Sequence, residues 1–166
     1  IVLGIVTLLG YWGLLAWLPS PQDYTANLSR DGNLVGLIDR SIIGQRHLYV
    51  HGGKTDPEGL FSTLPAVVTA LLGYWTGLAI QRHGLNHGTV LLLVGCGAIG
   101  VEIALLWDLA FPINKKIWTS SYVLLSGGLA MQLLAACMMK FDIWGWRRLA
   151  RPYEIVGVNA ILVFVG

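Results

Sequence analysis

Apolar positions in this chain gather into long unbroken runs, separated by brief polar punctuation and one extended polar stretch. Residues 59–80, 88–109 and 118–139 each reach the roughly 20 predominantly apolar residues that a helix needs to cross a bilayer. Residues 1–18 and 152–166 form two further apolar runs at the ends of the chain. Period-two alternation is absent, and in lipid only helices and closed barrels satisfy every backbone N–H and C=O. The pattern therefore predicts an all-α, polytopic transmembrane helical bundle, with about five spans in this chain.

The polar stretch, residues 19–58, carries one periodic segment of its own. Leu34, Ile38 and Ile42 recur at i, i+4 and i+8, joined by Val35 and Ile43, while Asp39 and Arg40 fall off that stripe. Asn33 is a residue type that caps helix N-termini. A short amphipathic helix over 34–43 is expected, lying on the bilayer surface or on the bundle with its apolar stripe inward. Within the spans, Gly73 and Gly77 are four residues apart, a spacing of small residues that lets two helices approach closely.

Composition agrees with a lipid solvent. The chain is 55% hydrophobic and 12% charged, where a soluble domain is about 25% charged. A net charge of +2 gives no reason to expect nucleic acid as a partner. Cys96 and Cys137 each sit inside an apolar run and are expected to behave as small hydrophobes. The chain starts at Ile1 within one apolar run and stops at Gly166 within another, which reads as an interior piece of a larger membrane protein. Residues 1–18 have neither the basic flank nor the small-residue cleavage site of a signal peptide. Lys140, Arg147, Arg148 and Arg151 crowd the connection after the 118–139 run, and Arg82 falls on the same side. The excess of basic residues predicts that side to be cytoplasmic, leaving the long polar loop, including Asp56–Glu58, and Asn114–Lys116 on the outer face.

Candidate chemistry is concentrated at span mouths. Asp56-Pro57-Glu58-Gly59 directly precedes a span, and its carboxylates suit either a general base or sugar acceptor, or a favourable charge at a helix N-terminus. Asn114-Lys115-Lys116 offers donors for carbonyl or phosphate oxygens, or simply marks the interface. Glu102 lies near the middle of a span, where a charge costs about 2.5–3.5 kcal/mol even on lenient scales, and is expected to be protonated and turned toward the bundle. Asp108 lies at the end of the same span and can reach water. His47 and His51, and likewise His83 and His87, are spaced i, i+4, but no third ligand accompanies either pair and no metal site is expected.

Two stretches carry a resemblance to a known family. Residues 56–65, Asp-Pro-Glu-Gly-Leu-Phe-Ser-Thr-Leu-Pro, followed by Leu72-Gly73, resemble a hallmark of the heparan-α-glucosaminide N-acetyltransferase family, which includes bacterial NagX-type membrane proteins. Residues 111–121 are similar to its second hallmark, and Gly157-Val158-Asn159-Ala160-Ile161 resembles a third. The resemblance covers essentially the whole chain. It implies a multi-pass membrane enzyme of about ten helices that moves an acetyl group from acetyl-CoA to the amine of a glucosamine-type sugar, with the bacterial inner membrane as its expected location. It also implies that the catalytic histidine lies upstream of the matched region, so this piece alone is expected to be inactive. Asp56, Glu58, Asn114, Lys115 and Asn159 are then the expected substrate-binding residues, with Asp56 and Glu58 as candidates for a catalytic part, and acetyl-CoA, the amino sugar and the bilayer as partners.

The competing reading is a sugar permease for N-acetylglucosamine, a role also described for NagX-type proteins. A transporter predicts internal repeats and broken helices near the midplane. No repeat is visible in the sequence, and the distinctive motifs lie at span mouths, with Glu102 alone central, which favours the enzyme. The acceptor sugar is not legible, and a homo-oligomer stays open.

Overall fold

The computed structural model describes residues 1–18, 33–44 and 59–159. Six α-helices run in order: α1 (Val2–Trp17), α2 (Leu34–Ile43), α3 (Thr63–His83), α4 (His87–Asp108), α5 (Ser120–Cys137) and α6 (Arg147–Val158). A π-helical segment, Met138–Ile143, continues α5 without a break. Among the described residues three helices are long and apolar enough to cross a membrane: α3, α4, and α5 with its π-helical extension (Ser120–Ile143). The protein is thus an integral, multi-pass, all-α membrane protein. α1 is an apolar helix of 16 described residues and α6 has 12, the rest of the predicted 152–166 run (160–166) lying outside the described residues. Pro152 falls inside α6 rather than at its start, because that helix begins on the basic Arg147-Arg148 pair.

Local chemistry sets the helix ends. Gly84 closes α3 with φ +75, a conformation that costs glycine nothing. Two residues later the Asn86 side chain accepts from Thr89 N–H at 3.0 Å, opening α4, and donates back to His83 O at 2.6 Å. The α3–α4 connection is therefore a tight hairpin. It separates His83 from His87, which end one helix and begin the next and so share no helix face. Among the described residues no group of three or more His, Cys, Asp or Glu could hold a metal.

The closest helix contact lies between α4 and α5. A Cβ on Gly97 would stand 2.7 Å from Gly128 O, and one on Gly128 would stand 2.6 Å from Gly97 O and 3.0 Å from Val101 Cγ2. With Ala104 and Ala135 also buried, the two backbones approach closely at Gly97 and Gly128, flanked by the Val101 and Gln132 side chains. The Gly73 and Gly77 pair does not play this part. A Cβ at either would meet nothing within 4 Å, and both glycines face a groove between α3 and α5. The expected close approach at Gly73 and Gly77 is therefore absent among the described residues, because the helix that meets a small-residue face here is α5, and it meets α4 at Gly97.

α2 packs on the bundle, though not by the expected stripe. Asn33, Val35, Gly36 and Asp39 are buried, whereas Ile42 is 63% exposed. Asp39, which the apolar periodicity placed outside, is fully buried. The helix is rotated because Val35 joins the cluster of Tyr11, Leu15, Phe111 and Ile117, and Asp39 finds a hydrogen bond at the head of α3.

Consecutive antiparallel spans put the turn 59–62 and the connection 109–119 at one end of the bundle, and 84–86 with 144–146 at the other. Trp144 and Trp146 pair at the second end with Lys140 Nζ 5.4 Å from the Trp146 ring, a suitable interfacial belt. In intact cells making the full-length protein, a cysteine at position 116 should react with a membrane-impermeant thiol reagent while one at 148 should not. Labelling of 148 alone would reverse the orientation, and equal labelling of both would refute the arrangement of spans.

Candidate functional site

The two hallmark stretches meet at one end of the bundle. The described part of the first is the turn from Gly59 into α3. Ser62 Oγ and Thr63 Oγ donate to Gly59 O at 2.9 and 3.0 Å, tightening the turn. Phe61 N–H donates to Asp39 Oδ1 of α2 at 3.1 Å, so a side chain from elsewhere in the sequence supplies an acceptor at this helix head. Asp56 and Glu58, for which the same part was considered, lie outside the described residues, as do His47 and His51.

The second stretch is a knot of polar bonds made by small side chains. Asp108 Oδ1 accepts from Ile113 N–H at 2.6 Å, turning the chain as it leaves α4. Asn114 Oδ1 accepts from Lys116 N–H at 2.9 Å, and Asn114 N–H donates to Thr119 Oγ at 2.9 Å. Thr119 in turn caps α5. Ser121 Oγ donates to Phe111 O at 2.7 Å and Ser120 Oγ to Leu8 O of α1 at 2.7 Å. Thr119, Ser120 and Ser121 are all fully buried, which is affordable only because each hydroxyl is hydrogen-bonded. Trp118 sits at φ +50, an outlier for a bulky residue, worth about 1–3 kcal/mol of strain. Its indole N–H donates to Thr69 Oγ of α3 at 3.1 Å and its ring meets Tyr122 edge-on at 5.3 Å.

Tyr11 of α1 joins the two stretches. Its ring packs against Phe61 at 5.2 Å and Phe111 at 6.4 Å, and its hydroxyl donates to Ile117 O at 2.5 Å. Tyr11→Phe keeps the ring contacts and leaves the Ile117 carbonyl buried without that donor, a loss of about 1–3 kcal/mol. A lower melting temperature of the detergent-purified protein is the expected result, and an unchanged one would show that the carbonyl finds another donor.

Beneath Trp118 a groove of about 450 Å³ runs inward between α3 and α5. Thr69, Thr76, Trp118, Tyr122 and Ser126 line it together with the glycines Gly73, Gly77 and Gly127. A volume of this size and a mostly apolar wall with a few hydroxyls suit a small-molecule arm rather than a whole sugar polymer.

Other predicted residues fall in different places. Lys115 is exposed beside Asn114 on the connecting loop. Asn159 caps the C-terminus of α6, exposed, with Nδ2 donating to Ile155 O at 2.8 Å, and no contact among the described residues joins it to Asn114 or Lys115. Glu102 is exposed on the outer face of α4, opposite the Gly97–Ala104 face that meets α5, so it does not turn toward the helices described. Asp39, Tyr11 and the buried hydroxyls at 119–121 were missed as site residues. The signal for the last was a Thr-Ser-Ser run opening a span, where three hydroxyls in lipid require partners.

No protein-family model matches the chain. Two curated relatives do. The heparan-alpha-glucosaminide N-acetyltransferase of Homo sapiens is 29% identical over 192 aligned positions, covering 98% of this chain, and that of Mus musculus is 29% identical over 194, covering 99%. The chain spans 29% of the length of either relative. This membrane bundle is a distant homologue of heparan-alpha-glucosaminide N-acetyltransferase, related at the level of family or superfamily.

Proposed function

We propose that this chain forms one wall of a membrane-embedded acetyltransferase site that passes an acetyl group from acetyl-CoA to the amine of a glucosamine-type sugar. The observation that carries the reading is the likeness to an N-acetyltransferase along 98% of the chain, including both polar stretches that converge at one end of the bundle. In such a reaction the amine nitrogen attacks the thioester carbonyl, the ammonium proton passes to a base, and the thiol leaves with a proton. The nitrogen must first be deprotonated, and the carbonyl oxygen gains negative charge on the way. Asp56 and Glu58 are assigned to the amine, and Asn114 and Lys115 to carbonyl or phosphate oxygens. Lys115 suits such oxygens because it is exposed and cationic next to a fixed turn. Asn159 keeps a part only if residues beyond those described bring it back to that end. The groove beside Trp118 is the place assigned to the slender thioester arm, since glycines and hydroxyl-bearing side chains line it together. The attacking base or acyl carrier is assigned to a histidine in the remainder of the protein, following the family resemblance.

The test is acetyl-CoA-dependent acetylation of glucosamine by the purified full-length protein in detergent or liposomes. Formation of N-acetylglucosamine with release of free CoA supports the assignment. Absence of turnover, with labelled N-acetylglucosamine accumulating inside sealed vesicles, would replace the enzyme by a permease.

A further inference from the structure

The groove between α3 and α5 has a hydrogen-bonding polarity that its shape alone does not reveal. Thr69 Oγ donates to Pro65 O at 3.4 Å and Thr76 Oγ to Leu72 O at 2.7 Å, each carbonyl one turn back on α3. Ser126 Oγ does the same on α5, donating to Tyr122 O at 2.8 Å. A hydroxyl has one proton and two lone pairs, so each of these side chains has committed its donor to its own helix and keeps acceptor capacity. The Trp118 indole N–H is likewise committed, to Thr69 Oγ at 3.1 Å. Among the described residues that line the groove none is charged, and the Tyr122 phenol is the one remaining hydroxyl.

Such a wall favours a neutral ligand that brings its own N–H donors. A phosphate or carboxylate would face oxygen acceptors with no cation among the lining residues to balance it, and would lose its water at a large cost. Thr69 and Thr76 stand seven residues apart on α3, about 10 Å along its axis, so the acceptors are spread along the groove. Room is kept by Gly73 and Gly77, where an added Cβ would meet nothing within 4 Å. A slender uncharged chain with amide N–H groups at intervals matches this pattern, and the pantetheine arm of an acyl-CoA is such a chain. We propose that the α3–α5 groove recognises the acyl donor through the amide N–H groups of its pantetheine arm, with Thr76 and Ser126 as accepting residues, and keeps the anionic nucleotide outside. This deepens the acetyl-transfer reading and rests on it for turnover, whereas binding of the arm is tested apart from it. The donor class that follows is the acylpantetheine thioester, with or without a nucleotide. With S-acetylpantetheine the amine nitrogen forms its bond to the acetyl carbon, the carbon–sulfur bond breaks, and pantetheine leaves as the thiol with the proton lost by the amine.

The kinetic test uses the full-length protein with Thr76→Val, Thr76→Ser and Ser126→Ala, each with a monodisperse elution profile. Thr76→Val and Ser126→Ala should each raise KM about tenfold for acetyl-CoA and by the same factor for S-acetylpantetheine, with KM for glucosamine unchanged. Thr76→Ser keeps the oxygen and should stay within about threefold of wild type. The binding test needs no turnover. Gly77→Cys places a thiol in the open groove, and the unreactive thioether S-methylpantetheine should protect it from N-ethylmaleimide, whereas ADP should not. Adding Thr76→Val should raise the half-protecting concentration about tenfold. Gly73→Cys, whose added Cβ is equally free of contacts, serves where Gly77→Cys does not fold. Labelling indifferent to S-methylpantetheine, or slowed as much by ADP, would overturn the proposal. So would a wild type that turns over acetyl-CoA and refuses S-acetylpantetheine, or variants that leave both donor KM values unchanged. A wild type without turnover whose thiol is still protected would count against the enzyme reading alone and leave the arm site standing.

Discussion

Replacing Gly128 by leucine should abolish recovery of folded protein. The substitution drives a branched side chain into the place where the α4 backbone already stands, with Gly97 O at 2.6 Å and Val101 N at 3.1 Å from the first added carbon. Those atoms are helix backbone, which cannot swing aside as a flexible side chain would, so the two helices must separate. Overpacking of a close-packed interior usually costs about 1–3 kcal/mol, and separation along the helix pair also loses the packing of Ala104 and Ala135. Gly97→Leu should behave alike. Gly95→Ala and Gly73→Ala are the matched controls, because nothing lies within 4 Å of a Cβ at either position. Size-exclusion profiles and melting temperatures of the detergent-solubilised full-length protein provide the measurement. Normal profiles for Gly128→Leu would mean that α4 and α5 are not in contact at this point.

The second large effect is expected in catalysis. If Asp56 or Glu58 orients or deprotonates the acceptor amine, Asp56→Asn or Glu58→Gln should fold normally and lose about 10²-fold or more in acetyl transfer, the usual scale for a general base. If they only contribute charge at the head of α3, each amide variant should cost about 1 kcal/mol or less in stability and leave the rate near wild type. Asp39 sharpens this distinction. With Asp39 Oδ1 already accepting the Phe61 N–H, one backbone donor at the helix head has its acceptor, so a purely capping role for Asp56 and Glu58 is partly redundant. Rates of glucosamine acetylation by the full-length variants, set beside their melting temperatures, separate the two. Near-wild-type rates for both variants would remove them from the reaction.

The spans were legible because lipid imposes a length and a composition that no soluble helix needs. The runs at 59–80, 88–109 and 118–139 correspond to the three helices long enough to cross. Asn33 was legible as a cap for a similar reason: its side chain accepts from Gly36 N–H at 2.8 Å, a bond between near neighbours in the chain. What the sequence concealed lies in contacts between distant segments. Apolar periodicity assigned Asp39 to the outside of α2, since a lone carboxylate on a short helix is ordinarily solvated. Its burial depends on a backbone N–H 22 residues away, at Phe61. Gly73 and Gly77 have the same spacing as many packing faces, and only the position of α5 shows that Gly97 and Gly128 make the contact instead. Glu102 was expected to face the bundle because a carboxylate in mid-span needs a partner. It faces away from α5, and its environment is set by whatever covers the outer face of α4.

The bonds that tie α1 to the second polar stretch have a consequence for assembly. Tyr11 to Ile117 and Ser120 to Leu8 join residues 106 and 112 positions apart, whereas Gly97 and Gly128 are brought together by a single helical hairpin. Closing a long loop costs more chain entropy than closing a short one, and contacts between near neighbours form faster. The α4–α5 hairpin is therefore the early unit and the docking of α1 a late one. Until α1 arrives, Ile117 O lacks the Tyr11 hydroxyl and Ser120 lacks the Leu8 carbonyl, while the short-range bonds within 108–121 need no help from α1. A chain stalled before that step would keep the α4–α5 hairpin yet lack the two bonds that seat α1 on the second polar stretch.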